Sequence, residues 1–250
     1  MISMHVGNLI MSHSPNVALQ FSGGRDSLAM LLLLQNYRED LTVYHLDTND
    51  EYPETSELVA KMRAVVPRWN DVQSSSPSVR RVYGLPSDLI PQSTSFLGVP
   101  DRIKIIDRNI CCYHSIMLPM HEAMVQDKIT LILRGQRSKD YPKSPVRNQQ
   151  TVAGMTIIYP VEDLHDLAIN AVVSKQAPKF GIMDPLKYYN EGLTSSPDCM
   201  GCTAWLEHKA YHYLKKFYPR RAEGVRTDMI KIYDAVTKEY NRLLHAKEVL

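Results

Sequence analysis

The sequence predicts an α/β protein whose mostly parallel, twisted sheet is flanked by helices and followed by a helical extension. Apolar β-type segments alternate with helical patterns along most of the 250 residues, which is typical of parallel sheets. Polar residues follow the first two predicted strands, where a parallel sheet binds its ligands. After residue 202 only helical periodicity remains. We therefore expect an α/β domain over residues 1–202 and a helical extension over residues 203–250 that packs on it.

The first predicted strand and helix meet at a glycine-rich turn. A β-type segment starting at Val17 leads into Ser22-Gly23-Gly24-Arg25-Asp26-Ser27, and an apolar helical run from Leu28 to Leu34 follows. Glycines permit a turn that aims several N–H groups at one point, and the helix start adds the positive end of its dipole. The turn lacks the lysine of a Walker A loop. It predicts a phosphate site, and the alternative is an ordinary strand-turn-helix joint.

A second unit follows the same order. The β-rich run 41–46 ends at Asp47 and Thr48, and a helix is predicted to begin near Pro53 because proline is favoured in the first helical turn. Residues 69–73 predict a strand. The three serines 74–76 that follow are predicted to lie near a ligand or in a surface loop.

The later elements are predicted from apolar periodicity. We expect a helix over residues 116–125, a buried strand over 129–133 and a helix over 166–175. Two further helices are expected after Thr203, each with an apolar face of the kind that packs in a core rather than a base-stacking platform. The first face is Trp205, Ala210, Tyr213, Leu214 and Phe217; the second is Met229, Tyr233, Val236, Tyr240, Leu243 and Leu244.

Composition and charge exclude several protein classes. The net charge of +2 does not indicate a nucleic-acid partner, and no apolar window of membrane-spanning length occurs. The amino terminus lacks the pattern of a signal peptide, so we expect a cytoplasmic protein. Basic residues nevertheless concentrate near one acid, Asp140, in a cluster that suits phosphate or sulfate or forms a solvated loop. They are Lys128, Arg134, Arg137, Lys139, Lys143 and Arg147.

The cysteines form two pairs. Cys111 and Cys112 are adjacent, and 86 residues separate them from Cys199 and Cys202. In a cytoplasmic protein such pairs suggest metal or redox chemistry rather than a disulfide framework. Four thiolates suit a zinc ion or a [4Fe-4S] cluster, and adjacent cysteines favour the cluster because it offers each thiolate its own iron. Buried, unliganded thiols are the remaining alternative.

Several of these strings resemble a known family. Residues 22–27 resemble the PP-loop of the adenine nucleotide α-hydrolase-like superfamily, whose members bind ATP or a sulfonucleotide at this turn. Residues 44–55 resemble the second signature of the phosphoadenosine phosphosulfate (PAPS) reductase family. That resemblance implies that Leu46, Asp47 and Thr48 flank the adenine and ribose.

Two later strings extend the resemblance. Residues 134–140 resemble the family's Gly-x-Arg element, which implies that Gly135 and Arg137 belong to the nucleotide site and that Arg137 reaches phosphate or sulfate. Tyr141 stands where the family commonly has serine. Residues 159–164 resemble the family's Tyr-Pro step into a helix, with Leu164 in place of tryptophan.

The cysteine pattern resembles the cluster motif of adenosine phosphosulfate (APS) reductases, which implies a [4Fe-4S] cluster on all four thiols. Those enzymes use a further cysteine, in a mobile tail, to attack the sulfate sulfur. No cysteine follows Cys202 in this sequence. A hydroxyl or imidazole cannot replace a thiolate that must form a reducible S–S bond.

Three functions follow as hypotheses. The first is an ATP pyrophosphatase in a sulfur-transfer pathway, similar to the pyrophosphatase component of DNA phosphorothioation systems. In it the turn holds the phosphates with Mg²⁺, Asp26 orients the metal, and Arg137 and Lys139 neutralise the leaving pyrophosphate. Expected partners are a sulfur carrier or cysteine desulfurase, with nucleic acid reached only through a complex. The second is an APS or PAPS reductase releasing sulfite with thioredoxin. The third is a nucleotide-binding subunit without turnover.

Overall fold

The computed structural model describes residues 3–91, 103–140, 145–204 and 209–249. Predictions that involve Tyr141, Lys143 and Trp205 lie outside these ranges. The strands are β1 (Val17–Gln20), β2 (Thr42–Asp47), β3 (Trp69–Gln73), β4 (Leu85–Ser87), β5 (Ile105–Asp107), β6 (Leu131–Leu133), β7 (Gln150–Val152) and β8 (Met155–Ile158). The helices are α1 (Met4–His13), α2 (Arg25–Leu33), α3 (Pro53–Arg63), α4 (Ser76–Tyr83), α5 (Arg108–Cys112), α6 (Leu118–Gln126), α7 (Asp166–Gln176), α8 (Lys187–Asn190), α9 (Ala210–Phe217) and α10 (Pro219–Val249).

The main sheet is the predicted mostly parallel one. Its six strands have the order β3-β2-β1-β6-β8-β7, and only the edge strand β7 pairs antiparallel. Leu19 of β1 lies between Val43 of β2 and Leu133 of β6. The carboxyl ends of these three strands therefore meet at one edge, which brings together residues 22–27, 47–48 and 134–137. This confirms the predicted α/β class.

Each face of the sheet carries its own core, because successive side chains of a strand point to opposite faces. One face packs Leu19, Val43 and Leu133 against the apolar run of α2 and against α7. The other face packs Ala18, Ile132 and neighbours against α6. Both faces of the parallel strands are thus covered, as such sheets require.

The carboxyl-terminal helices pack on the domain through a third core. Tyr52 and Tyr188 of the domain contact Tyr213 and Leu214 of α9, while Ala222 and Val225 of α10 complete the cluster. Tyr213, Leu214 and Phe217 of the predicted face of the first helix are thus confirmed as packing residues, whereas Ala210 is half-buried and lies outside this cluster.

The predicted apolar face of the second helix is wrong over most of its length. Tyr233, Tyr240, Leu243 and Leu244 are exposed, whereas Ala222, Val225 and Ile232 are buried. The third core uses residues of the first half of α10, whereas its second half lines an open groove together with Leu89, Ile90 and Pro91. Burial therefore follows the packing surface and not the apolar stripe.

Three other features differ from expectation. The helix α1 and the small parallel sheet of β4 and β5 were not predicted, and the serines after β3 start helix α4 with Ser75 as its N-cap. Among the described helices none is long and apolar enough to cross a membrane.

Candidate functional site

The phosphate turn, residues 22–27, joins β1 to α2. Gly23 has a φ of +70°, a conformation that side chains rarely adopt, and Gly24 is the N-cap of α2. The hydroxyls of Ser22 and Ser27 lie 3.2 Å apart, and Ser27 donates to the carbonyl of Gly24. The N-cap residue Gly24 supplies no side-chain acceptor to the first turn of α2, and a helix N-terminus of this kind favours an anion.

A later segment lies against this turn. A Cβ added to Gly24 would be 2.6 Å from Oγ of Ser196, and the backbone N–H of Arg25 donates to the Tyr189 hydroxyl at 3.3 Å. The guanidinium of Arg25 also lies 4.2 Å from the centre of the Tyr189 ring. Neither Ser196 nor Tyr189 was predicted from the sequence. The segment that ends in Cys199 thus covers one side of the phosphate turn.

Charged residues form a compact group beside the turn, here called the charged cluster. Arg137 is 3% exposed and donates to Asp166 at 2.7 Å, with Asp26 at 3.0 Å. Arg25 also bonds Asp166, at 2.8 Å. Lys139 pairs with Asp166 as well. The charged cluster consists of Arg25, Asp26, Arg137, Lys139, Asp140 and Asp166.

The fold brings to the basic segment two acids that lie far from it in the sequence. The basic segment has a single acid nearby along the chain, but the fold adds Asp26 and Asp166 to Asp140, so three acids face three bases. Arg137 and Lys139 are therefore already paired. In addition, the buried Nε–H of Arg137 has no acceptor among the described residues.

The pKa shifts follow from burial and pairing. Burial raises the pKa of Asp26, although the charges of Arg137 and Arg25 oppose this. Hydrogen bonds from Lys139 and Arg137 lower the pKa of Asp166. Asp166 therefore stays ionised, which keeps both arginines in place.

Gly135 allows the end of β6 to approach the phosphate turn closely. A Cβ at this position would lie 2.8 Å from the backbone nitrogen of Ser27 and 2.9 Å from its Cα. Only glycine fits such an approach to a backbone. The predicted site residue Gly135 thus sets the distance between the turn and the loop that carries Arg137.

The end of β2 lies beside the turn, as predicted. Leu46 and Thr48 are buried, and Asp47 accepts a hydrogen bond from the N–H of Asn49 at 2.7 Å. The hydroxyl of Thr48 donates to the carbonyl of residue 198 at 3.4 Å. Of the predicted base-flanking residues, Thr48 therefore contacts the segment that leads to the second cysteine pair.

A buried histidine of β2, His45, connects two loops at this edge of the sheet. His45 is 3% exposed; one ring nitrogen lies 2.9 Å from the carbonyl of Phe21, and the other lies 2.9 Å from the carboxylate of Glu51. Burial lowers the pKa of His45, but the hydrogen bond and charge of Glu51 outweigh it, so the pKa is raised. The pair links the residue before the turn to the loop after β2.

The four cysteines line one small cavity, here called the cysteine site. Cys111 and Cys112 come from α5, while Cys199 and Cys202 come from the loop after α8. All four are free thiols. Ser76 Oγ lies 3.1 Å from Sγ of Cys199. The fold thus brings the two predicted pairs together.

The thiols are held in their neutral form. Burial raises the pKa of Cys112 to about 12 and of Cys202 to about 11, and it also raises the pKa of Cys111 and Cys199. Among the described residues no three His, Cys, Asp or Glu side chains converge on a point that suits a single metal ion. Four thiols around one cavity can ligate a metal centre once they lose their protons.

Comparison with known proteins assigns the family. The phosphoadenosine phosphosulfate reductase domain matches residues 16–176. The chain belongs to this family. The matched range includes the phosphate turn, the end of β2, the charged cluster and the first cysteine pair, but it stops before Cys199. No curated protein sequence matches the chain significantly.

A solved structure of a PAPS reductase supports the fold. The chain is similar to phosphoadenylyl-sulfate (PAPS) reductase from Candida auris in a phosphate complex, with a TM-score of 0.50 and 17% identity over 69% of this chain and 78% of that one. It also resembles an NH3-dependent NAD synthetase from Campylobacter jejuni in complex with nitrate, with a TM-score of 0.46 and 12% identity over 91% and 92% of the two chains. At 17% identity the first likeness concerns the fold alone.

Proposed function

We propose that the protein is an ATP pyrophosphatase that releases pyrophosphate and AMP in a sulfur-transfer pathway. The observation that carries the proposal is the chemistry around the phosphate turn. Hydroxyls, backbone N–H groups, a carboxylate and paired cations surround it, whereas all four thiols line the separate cysteine site. Such groups position phosphates and stabilise charge, and they supply no sulfur nucleophile.

In the proposed reaction a water or an acceptor oxygen attacks the α-phosphorus of ATP, and the bond to the β-phosphate breaks. The pyrophosphate leaves with the bonding electrons. The N–H groups of the turn hold the β- and γ-phosphates, and Ser22 and Ser27 add hydroxyl donors. The unpaired Nε–H of Arg137 is a donor suited to a phosphate oxygen.

Mg²⁺ suits this site because it takes one or two carboxylates and obtains its remaining ligands from phosphates and water. Asp26 would hold it, since its carboxylate lies within the phosphate turn and is 20% exposed. The bound ion would neutralise phosphate charge. Arg137, at 3.0 Å from Asp26, orients the carboxylate.

We further propose that the cysteine site holds a [4Fe-4S] cluster. Support comes from the four thiols around one cavity and from the adjacency of Cys111 and Cys112, because a cluster offers each thiolate its own iron. A bound cluster would supply a one-electron redox centre next to the loop that covers the phosphate turn. Sulfur would reach the adenylated acceptor through a sulfur carrier or cysteine desulfurase, and a nucleic-acid acceptor would be reached only through a complex.

The alternative is an APS or PAPS reductase, which the family membership favours. It needs a nucleophilic thiolate near the nucleotide. Cys199 follows Ser196 by only three residues, but burial raises the pKa of its thiol, which weakens it as a nucleophile. The third candidate, a nucleotide-binding subunit without turnover, would retain the phosphate turn but hydrolyse nothing.

One assay separates the three functions. The anaerobically reconstituted protein is incubated with ATP and Mg²⁺, and pyrophosphate and AMP are measured. Parallel reactions contain APS or PAPS with thioredoxin, and sulfite is measured. We expect pyrophosphate and no sulfite. Sulfite release without ATP cleavage would establish the reductase, and nucleotide binding without either product would establish the third candidate.

A matched pair of variants ties the activity to the turn. Asp26→Asn keeps the size of the side chain and removes its charge, so we expect turnover to fall by about 10²–10³-fold, as for other groups that stabilise charge in a transition state. Asp228→Asn removes a carboxylate that pairs with Lys231 on the surface of α10 and should leave the rate unchanged. Equal rates for the two variants would remove Asp26 from the mechanism.

A further inference from the structure

A buried carboxylate outside the predicted sites belongs to Asp50, a residue that hydrogen-bonds the two residues between Cys199 and Cys202. Asp50 lies in the loop after β2, and its side chain is 4% exposed. One carboxylate oxygen accepts hydrogen bonds from Arg80 of α4 at 2.7 Å and from the backbone N–H of Gly201 at 2.9 Å. The other oxygen pairs with Arg221 of α10. The backbone carbonyl of Asp50 accepts from the N–H of Met200 at 2.8 Å.

These bonds converge on the two residues between Cys199 and Cys202. Gly201 packs closely against the side chains of Arg80 and Asp50. A Cβ there would lie 2.5 Å from Nη2 of Arg80 and 2.9 Å from the Asp50 carboxylate. The loop belongs to no helix or strand, and it is attached at its two ends by Thr48, Ser76 and Thr203. Asp50 supplies the hydrogen bonds to the two residues between the cysteines.

The Asp50–Arg80 ion pair also reaches the first cysteine pair, through Arg80. Arg80 lines the cysteine site together with Cys111 and Cys112. Arg80 thus forms part of the wall of the cavity that the two cysteine pairs share, and Asp50 pairs with it from outside that lining.

We propose that Asp50, paired with Arg80, is the positioning residue of the cysteine site: it holds the Cys199–Cys202 loop so that its thiols face Cys111 and Cys112. This inference rests on the proposed role of the four cysteines as one ligand set. Arg80 supplies the counter-charge that a buried carboxylate requires. Arg221, which is 46% exposed, extends the attachment to α10.

The test uses the full chain in its reduced, metal-free form, and so needs neither nucleotide nor cluster. Iodoacetamide is added, and alkylation of each cysteine is followed by peptide mass spectrometry. In Asp50→Asn we expect alkylation of Cys199 and Cys202 to accelerate about tenfold, because loss of a charged hydrogen bond raises the open fraction of that loop. Alkylation of Cys111 and Cys112 should change less than about twofold.

A second variant tests the same contact without removing a charge. Gly201→Ala forces a Cβ against Arg80 and Asp50, and it should give the same selective acceleration. Asp228→Asn on α10 is the control, expected to leave all four rates unchanged. After anaerobic reconstitution, both test variants should also bind less iron per chain than the unmodified protein and show weaker absorbance of the iron–thiolate band.

The outcomes separate a positioning role from general stabilisation. If all four cysteines accelerate equally in Asp50→Asn, the residue only stabilises the fold and the proposal is overturned. Unchanged rates in both test variants would overturn it as well. Should Asp50→Asn fail to fold, Gly201→Ala decides by the same criterion. Failure of the ATP assay would not affect these rates, so the two proposals fail separately.

Discussion

The phosphate turn and the cysteine site are held together by different forces. The turn consists of six consecutive residues, and ionised side chains pair beside it. Arg25 and Asp26 of the turn belong to the charged cluster of three acids and three bases. The cysteine site joins two pairs that are 86 residues apart, and its thiols are buried and neutral. The turn is therefore ordered before any ligand binds, whereas the cysteine site gains charge only when thiols lose protons to a metal.

This contrast predicts that the turn is sensitive to single charges and close contacts, while the cysteine site is sensitive to the loops that carry it. Four substitutions or conditions probe the contrast, from the largest expected effect to the smallest.

Arg137→Met removes the cation that Asp26 and Asp166 share. Since Arg137 is 3% exposed and breaking a buried ion pair leaves an uncompensated charge, we expect a loss of about 3 kcal/mol in the free energy of unfolding. Urea unfolding measures it. The matched control is Arg226→Met, whose partner Glu223 is 66% exposed on α10; it should cost less than about 0.5 kcal/mol. Similar losses in the two variants would contradict the charged cluster.

Gly135→Ala tests the close approach of β6 to the turn. The new Cβ would meet backbone atoms of Ser27, so we expect a loss of about 1–3 kcal/mol together with weaker ATP binding. The control is Gly224→Ala in α10, where a Cβ meets nothing within 4 Å and helix propensity predicts a gain of about 0.5–1 kcal/mol. If Gly135→Ala left the free energy of unfolding unchanged, the contact between residue 135 and the backbone of Ser27 would not be tight.

Thr203→Val probes the attachment of the cysteine loop. The buried hydroxyl of Thr203 donates to the carbonyl of Pro86 at 2.6 Å. Valine keeps the shape but leaves this carbonyl unpaired, which should cost about 1–2 kcal/mol. We expect iodoacetamide to reach Cys202 faster in the variant, with no change in ATP binding. If ATP binding weakened as much as alkylation of Cys202 accelerated, the phosphate turn and the cysteine site would not respond separately.

The smallest expected effect is a pH dependence from His45. Its pKa is raised above the unfolded value of 6.5 by Glu51, despite burial. The stability that this pair contributes is therefore fully present below pH 6.5 and is lost as the pH rises through the folded pKa. Urea unfolding between pH 6 and pH 9 measures it. In His45→Asn this part of the pH dependence should disappear; an unchanged profile would assign it to other groups.

The local parts of the structure could be predicted because neighbouring residues decide them. The turn at residues 22–27, the strands around it and the start of α3 at Pro53 follow from glycine conformations, apolar runs and helix-start preferences. The apolar stripe of α10 shows the limit of this reasoning. It gives a correct helix, but Tyr233, Tyr240 and Leu243 are exposed because periodicity does not say which part of a helix meets the core.

The partners of charged and polar residues could not be predicted from the sequence either. Nothing near Arg137 in sequence indicates that Asp26 and Asp166 neutralise it, and nothing near Gly201 indicates Asp50. These contacts join residues that lie more than 25 positions apart. Each depends on which strands are neighbours in the sheet.

By itself the sequence determined the α/β class, the phosphate turn and the two cysteine pairs, because each is written in a short string whose conformation or chemistry is local. Tertiary structure alone decided that Ser196 lies against the turn, that three acids balance three bases, and that Asp50 connects the end of β2 to the second cysteine pair. The physical reason is that ion pairing and burial act between whichever groups the sheet order brings together, whatever their separation along the chain.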